Sequence, residues 1–153
     1  METIKKTVTG LFILGLITCF ISGCEKYDEG GRISKAETNL TENVWKISKY
    51  LRNGSDETSS LIISNYTEHY QEGGDLIRDF IDKEGESKTQ SGSWNLVDDN
   101  IHLKIDGVGS IELTDQTGTV SSSEYTIDKL TKDEFWYNYI NGGDTHEFHL
   151  VPD

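Results

Sequence analysis

The feature that most constrains this chain is a period of two in its apolar residues, which recurs from residue 44 to the end. Within residues 44–52, Trp45, Ile47 and Leu51 are expected on one face, and Lys46 on the other. This alternation predicts β-strands, because successive side chains of a strand point to opposite faces. No segment keeps a helical period long enough for a crossover helix. The single proline, Pro152, follows the last predicted strand, so no proline interrupts the predicted strands.

Eight or nine strands are predicted, joined by short connections rich in Gly, Asn and Asp, which are typical of hairpins. The segments are 44–52, 61–70, 76–83, 89–97, 101–105, 110–113, 122–130, 134–140 and 145–151. Consecutive hairpins build an antiparallel meander, and a long meander removes its exposed edges by closing on itself. We therefore expect an all-β fold, an up-and-down barrel of eight or nine strands, with a β-sandwich as the alternative.

The N-terminus has the pattern of a secretory signal. Lys5 and Lys6 precede an apolar run over residues 11–21, which is shorter than the ~20 residues needed to span a bilayer. The run ends at Ile21-Ser22-Gly23-Cys24, which resembles the lipobox of bacterial lipoproteins. The resemblance implies that residues 1–23 are removed and that the Cys24 sulfur carries a lipid, which anchors the chain to a membrane. The alternative is an ordinary signal peptide with a buried cysteine.

Residues 24–39 are predicted to form a lipidated acidic tether, with a short helical turn near residues 34–40, and residues 40–153 the folded domain. The stretch Glu25-Lys26-Tyr27-Asp28-Glu29 resembles the surface-export signals of Bacteroidetes lipoproteins. The resemblance implies the outer membrane, with the domain facing outward. A solvated acidic linker is the alternative interpretation.

Charge and cysteine content limit the partners and the sources of stability. The full chain has 14 basic and 27 acidic residues, and removal of residues 1–23 leaves 12 and 26, a net charge of −14. A surface this acidic repels nucleic acid and anionic headgroups, and neither is expected as a partner. Cys19 leaves with the signal and Cys24 is lipidated, so no disulfide is expected and stability must come from packing and hydrogen bonds.

Three short motifs resemble a known family. They are Leu40-Thr41-Glu42-Asn43-Val44-Trp45-Lys46-Ile47, Ser91-Gly92-Ser93-Trp94-Asn95-Leu96 and Tyr125-Thr126-Ile127-Asp128-Lys129-Leu130. Together they resemble the lipocalin-like domain lipoproteins of Bacteroidetes over roughly residues 40–151. The resemblance implies an eight-stranded calycin-type barrel. Lipocalins proper carry Gly-x-Trp on the first strand, and here Asn43 stands at the glycine position.

Aromatic residues on the predicted strands are the candidate ligand-binding residues. The set is Trp45, Tyr66, Tyr70, Phe80, Trp94, Tyr125, Trp136, Tyr137 and Phe148. They are expected either to line a cavity for an apolar or planar ligand or simply to fill the core of a small barrel. On residues 134–140, Phe135, Tyr137 and Tyr139 share one face, and Trp136, Asn138 and Ile140 share the other. Both faces are bulky, which predicts an exposed stripe on one of them.

Other candidate chemistry is weaker. His146 and His149 are three apart and point to opposite faces of a strand, so they cannot chelate one ion, and the histidines are expected at the surface or in hairpins. Asp98-Asp99-Asn100 is a turn former without the EF-hand pattern. The chain has no Gly-x-Ser-x-Gly, no His-Glu-x-x-His and no phosphate-binding glycine loop. We expect no enzyme activity, cofactor or metal.

Two functional hypotheses follow. In the first, the barrel mouth holds a small apolar or amphipathic ligand. In the second, the core is filled and the loops or acidic face bind another protein. An internal cavity with convergent polar groups favours the first hypothesis, and a core packed to ordinary density favours the second.

Overall fold

Eight antiparallel strands close into a barrel in the computed structural model, which describes residues 35–109, 111–113, 119–120 and 124–153. The strands are β1 Val44–Arg52, β2 Ser55–Asp56, β3 Ser64–Tyr70, β4 Asp75–Ile81, β5 Ser87–Val97, β6 His102–Asp106, β7 Ile111–Glu112, β8 Thr119–Val120, β9 Glu124–Leu130, β10 Phe135–Asn141 and β11 Asp144–Pro152. Helix α1 spans Lys35–Thr41, and a 3-10 helix spans Thr58–Ser60. The predicted signal segment, and Cys24 with it, lies outside the described residues.

The barrel follows the order β11-β10-β9-β6-β5-β4-β3-β1 and closes where β1 pairs with β11. The short strand β2 adds to β1, and β7 pairs with β8 as a separate hairpin. Closure removes the sheet edges that would otherwise invite pairing with another chain. The predicted up-and-down barrel is therefore confirmed, and the sandwich alternative is not the fold.

A β-bulge in β1 changes which residues face inward. The register with β11 runs from Ile47 opposite Leu150 to Lys49 opposite His149, so Ser48 is an extra residue. The bulge shifts the alternation by one, and Tyr50 is fully buried. The prediction that Leu51 shares the inner face of Trp45 and Ile47 was therefore wrong.

The connections use the turn chemistry that the sequence predicts. Asp98, Asp99 and Asn100 have φ values of 50°, 55° and 69°, in the left-handed region, and they join β5 to β6. Asn and Asp tolerate this conformation better than other residues with a side chain. The interpretation of this tripeptide as a turn is confirmed.

Helix α1 packs against one end of the barrel. Leu40 is fully buried, and its carbonyl accepts a hydrogen bond of 2.8 Å from the Trp45 indole Nε1. Asn43 Nδ2 donates to the carbonyl of Lys132 at 2.9 Å, which ties the start of β1 to the loop before β10. The predicted helical turn is thus confirmed, and it crosses the predicted domain boundary at residue 40. Among the described residues, no helix has the length and apolar character to cross a membrane.

At the opposite end, the chain between β2 and β3 folds over the interior. Ile62 N–H donates to the carbonyl of Leu113 at 2.9 Å, and Ile63 and Leu113 are both buried. Between the two ends the interior is rich in aromatic side chains. Trp45, Tyr50, Tyr70, Tyr125, Tyr137 and Phe135 are among the largest fully buried ones.

Candidate functional site

Eight of the nine aromatic candidates lie buried inside the barrel. They are Trp45, Tyr66, Tyr70, Phe80, Trp94, Tyr125, Tyr137 and Phe148. Their rings contact one another in edge-on and tilted pairs, for example Tyr70 with Trp94 at 5.6 Å and Tyr125 with Tyr137 at 5.2 Å between ring centroids. The remaining candidate, Trp136, lies on the outer face.

Trp136 is the centre of a stack on the outer surface. The His149 ring lies parallel to it at 4.0 Å, and the Lys129 ammonium lies 4.5 Å from the ring centroid. Lys129 and His149 come from the strands on either side of β10, so both faces of the indole are covered. On the same outer face Ile140 is 73 % exposed. The face predicted to be exposed is thus the one with Trp136, Asn138 and Ile140, and on it the indole is covered by Lys129 and His149 while Ile140 is exposed.

A charged pair lies at the centre of the aromatic interior. Glu68 on β3 is fully buried and Arg78 on β4 is 2 % exposed. Arg78 Nε and Nη2 both donate to Glu68 Oε1 at 2.9 Å. The two residues face each other because β3 and β4 form a hairpin that places Glu68 opposite Arg78. A buried charge is tolerated only when it is paired and hydrogen-bonded, and this pair meets both conditions.

Three tyrosine hydroxyls also donate hydrogen bonds to the Glu68 carboxylate. Tyr66 donates to Oε1 at 2.6 Å, Tyr70 to Oε2 at 2.7 Å and Tyr137 to Oε1 at 3.1 Å. Burial raises the pKa of all three hydroxyls well above the ordinary value. They therefore stay protonated and remain donors. We call these five residues, Glu68, Arg78, Tyr66, Tyr70 and Tyr137, the tyrosine–carboxylate centre.

The tyrosine–carboxylate centre is a dense hydrogen-bond network. Five hydrogen bonds converge on the two oxygens of Glu68, four on Oε1 and one on Oε2. Burial opposes the charge on Arg78, but the surrounding tyrosine oxygens and the Glu68 carboxylate outweigh it, and the pKa of Arg78 stays well above its ordinary value. The guanidinium thus stays charged, and both partners are shielded from water.

His146 lies inside the barrel near the end closed by Ile63 and Leu113. It is 3 % exposed, its Nδ1 lies 2.7 Å from the Tyr50 hydroxyl, and its ring stacks on Tyr139 at 4.8 Å. Burial lowers the pKa of this imidazole. The expectation of surface or hairpin histidines was therefore wrong for His146. The prediction that His146 and His149 point to opposite faces is confirmed.

The described side chains form no cluster suited to a metal ion. Within the part of the chain that the structure describes, no three His, Cys, Asp or Glu side chains gather around a common point. The Asp106 carboxylate, for example, lies 3.9 Å from the Lys104 ammonium, as one half of a surface ion pair.

A pocket opens through the barrel wall between β1 and β3. These strands pair only where Val44–Lys46 lie opposite Thr67–His69, and above Lys46 they separate. The gap holds a pocket of about 240 Å³. Its lining includes the apolar side chains of Ile47, Leu61 and Ile63, together with Tyr66. Lys46, Thr58, Ser64 and Asn65 supply its polar lining.

Tyr66 joins the pocket to the tyrosine–carboxylate centre. Tyr66 lines the pocket, and its hydroxyl donates to Glu68 Oε1 at 2.6 Å. The hydrogen bond restrains the orientation of this side chain. Asn65, the residue before it, has a left-handed φ of 52°, where the β3–β4 register shifts. The pocket is therefore formed by an irregularity in β3 and by the early end of its pairing with β1.

Sequence reasoning did not single out Glu68, Arg78 or the pocket. The sequence contained a signal for the pair. Glu68 lies two residues after Tyr66 and two before Tyr70, and the residues two positions before and after Arg78 are apolar. A charge on the apolar face of each of two neighbouring strands indicates a buried pair. The pocket has no such signal, since it depends on where β1 and β3 stop pairing.

Comparison with known proteins relates this geometry to solved structures. No family model and no curated protein matches the chain at a significant level. A lipocalin-like protein from Bacteroides uniformis ATCC 8492 aligns with 75 % of this chain and 99 % of its own, at a TM-score of 0.51 and 14 % identity. The fold is a lipocalin-like barrel. Japanin from Rhipicephalus appendiculatus, solved bound to cholesterol, aligns over 79 % of both chains, at a TM-score of 0.50 and 9 % identity.

Proposed function

We propose that this protein is a lipid-anchored binding protein of the bacterial outer membrane, whose lipocalin-like barrel takes a small amphipathic ligand and performs no catalysis. The observation that carries the proposal is the pocket between β1 and β3, which combines an apolar lining with a polar rim. Such a mixture is typical of ligand sites, in which apolar contacts give affinity and a few polar groups fix orientation.

The size of the pocket limits the ligand. At about 240 Å³ it is smaller than the ~300–1,000 Å³ of sites that hold drug-sized molecules. Japanin shows that a barrel of this fold accommodates an amphipathic, largely apolar molecule. For the pocket described here we propose a ligand well below the size of a sterol.

Ligand binding is tested by mass spectrometry of solvent extracts from the protein purified from its host. A small amphipathic molecule should copurify with it in stoichiometric amount. Ser64→Trp places an indole at the exposed rim of the pocket and should abolish this copurification. Ser91→Trp, an equally exposed position on β5 outside the pocket lining, serves as the matched control and should retain the molecule. Copurification that survives Ser64→Trp would contradict this location of the site.

The anchor rests on the sequence of the lipobox-like segment. Cells grown with labelled palmitate should incorporate the label into the wild-type protein and not into the Cys24→Ser variant. Treatment of intact cells with a protease should remove the barrel domain if it faces outward. Protection of the domain in intact cells, with cleavage after lysis, would place it on the periplasmic side.

A second candidate function is protein interaction, and the filled central layer of the barrel favours it. Glu68, Arg78 and the surrounding tyrosines occupy that layer with every carboxylate oxygen bonded, so ligand cannot enter there without breaking the centre. A protein partner would then use the outer surface. In-cell cross-linking decides between the two: a discrete adduct that persists in the Ser64→Trp variant supports interaction and not ligand binding.

A further inference from the structure

We infer that the ligand of the β1–β3 pocket carries an anionic head, which binds Lys46 by displacing Asp153. This inference rests on the proposed ligand-binding function and names the class of ligand: a small molecule with a carboxylate at one end and a short apolar body at the other. It follows from the charge of the pocket lining, from the ion pair that Lys46 forms with Asp153 and from the volume of the pocket.

Lys46 is the charged residue among the described side chains that line the pocket. It lines the pocket together with the apolar side chains of Ile47, Leu61 and Ile63. An amphiphile with its body against these side chains thus has its head within reach of a cation. A neutral head gains no ion pair there, and a cationic head meets a like charge.

Asp153 already shows that this cation accepts a carboxylate. Lys46 Nζ lies 3.2 Å from Asp153 Oδ1, and the Asp153 N–H donates to the carbonyl of Val44 at 2.9 Å, which holds the aspartate beside the start of β1. The two side chains are 48 % and 54 % exposed. Ion pairs this exposed contribute little to stability, so an incoming carboxylate can exchange with Asp153 at small cost.

The overall charge makes this position distinctive. The chain carries a net charge of −13, and its surface field disfavours anions in general. Within such a field, an anionic ligand needs a specific local cation together with apolar burial. The pocket offers both at one place, and its 240 Å³ restricts the body to a short chain or a single ring.

The test compares three probes of equal chain length, namely hexanoate, 1-hexanol and hexylamine. Affinities are measured by saturation-transfer NMR on the full-length protein in lipid nanodiscs, with empty nanodiscs subtracted. Hexanoate should bind more tightly than hexanol, and hexylamine least. Lys46→Met should lower the affinity for hexanoate by roughly two- to fivefold, to the level of hexanol, as expected for loss of one partly exposed ion pair.

Two further variants separate the head-group effect from general changes in charge. Asp153→Asn removes the competing carboxylate, so it should raise the affinity for hexanoate and leave the affinity for hexanol unchanged. Lys104→Met is the control, since Lys104 is 47 % exposed and also pairs with an aspartate, but lies on β6 outside the pocket lining. It should change neither affinity.

The possible results separate the anionic head group from the proposed ligand-binding function. Equal binding of the three probes, or binding of hexanoate that is unaffected by Lys46→Met, would overturn the anionic head while ligand binding itself stands. Preference for hexylamine would do the same. Failure of all three probes to bind, together with no copurifying molecule, would refute the proposed ligand-binding function and this inference with it.

Discussion

Removing Arg78 while leaving Glu68 in place should destabilise the barrel severely. In the Arg78→Met variant, the buried carboxylate keeps its three tyrosine donors but loses both guanidinium hydrogen bonds of 2.9 Å. Glu68 is fully buried, so water cannot replace the lost cation. Breaking a buried pair in this way costs about 3–5 kcal/mol, a large share of the ~5–15 kcal/mol that stabilise a typical domain.

Urea unfolding followed by tryptophan fluorescence measures the loss. With a slope of about 2 kcal/mol per molar urea, a loss of 4 kcal/mol lowers the midpoint by about 2 M. The double variant Glu68→Gln/Arg78→Met removes both charges and keeps one oxygen for the tyrosines. Its loss of stability should be smaller than the sum of the losses in Glu68→Gln and Arg78→Met, because the double variant leaves no buried charge without its partner.

The matched control is Arg52→Met, which removes an arginine from a solvent-accessible pair with Asp144. Their side chains are 25 % and 32 % exposed, so solvent screens the pair and the midpoint should move far less than in Arg78→Met. The reasoning is refuted if the free energy of unfolding of Arg78→Met lies within 1 kcal/mol of the wild-type value. It is also refuted if the losses of the Glu68 and Arg78 single variants simply add in the double variant.

Three further predictions concern other parts of the barrel. Burial lowers the pKa of His146, so on acidification the unfolded chain binds a proton at this imidazole before the folded chain does. The free energy of unfolding should therefore fall as the pH drops below about 6.5, and it should fall less in His146→Gln. Urea midpoints at pH 7.5 and 5.5 measure the difference. Gly92→Ala places a Cβ 2.4 Å from the carbonyl oxygen of Asp106 and should cost about 1–3 kcal/mol in thermal or urea unfolding. Trp136→Ala removes the stack with His149 and should cost about 0.5–1.5 kcal/mol beyond the loss of buried area, with a changed near-ultraviolet circular dichroism spectrum.

The strand pattern was predictable because it depends on local alternation. Trp45, Ile47 and the later inward residues follow a period of two that the sequence displays directly. The exception is the bulge at Ser48, after which Tyr50 rather than Leu51 faces the interior. A bulge is a property of two paired strands, and no property of residues 44–52 alone indicates that β11 lacks a partner for Ser48.

The candidate site was predictable only in part. The aromatic residues were identified, and eight of nine face inward, because large aromatic side chains at alternating positions are buried in a barrel of this size. The pairing of Glu68 with Arg78 required knowing that β3 and β4 are neighbours in a particular register. The pocket required knowing where two strands separate, which is a feature of the tertiary structure.

The tyrosine-rich interior also means that the protein reports its own unfolding in alkaline solution. Six of the seven tyrosines in the chain are buried, and burial raises the pKa of Tyr66, Tyr70, Tyr125, Tyr137 and Tyr139. Phenols in this interior cannot ionise one at a time near pH 10, as free tyrosine does. They become available together when the barrel opens, and stability falls as the pH rises above that value. The absorbance of tyrosinate would therefore rise in one steep, cooperative step, with the circular dichroism of the strands lost at the same pH.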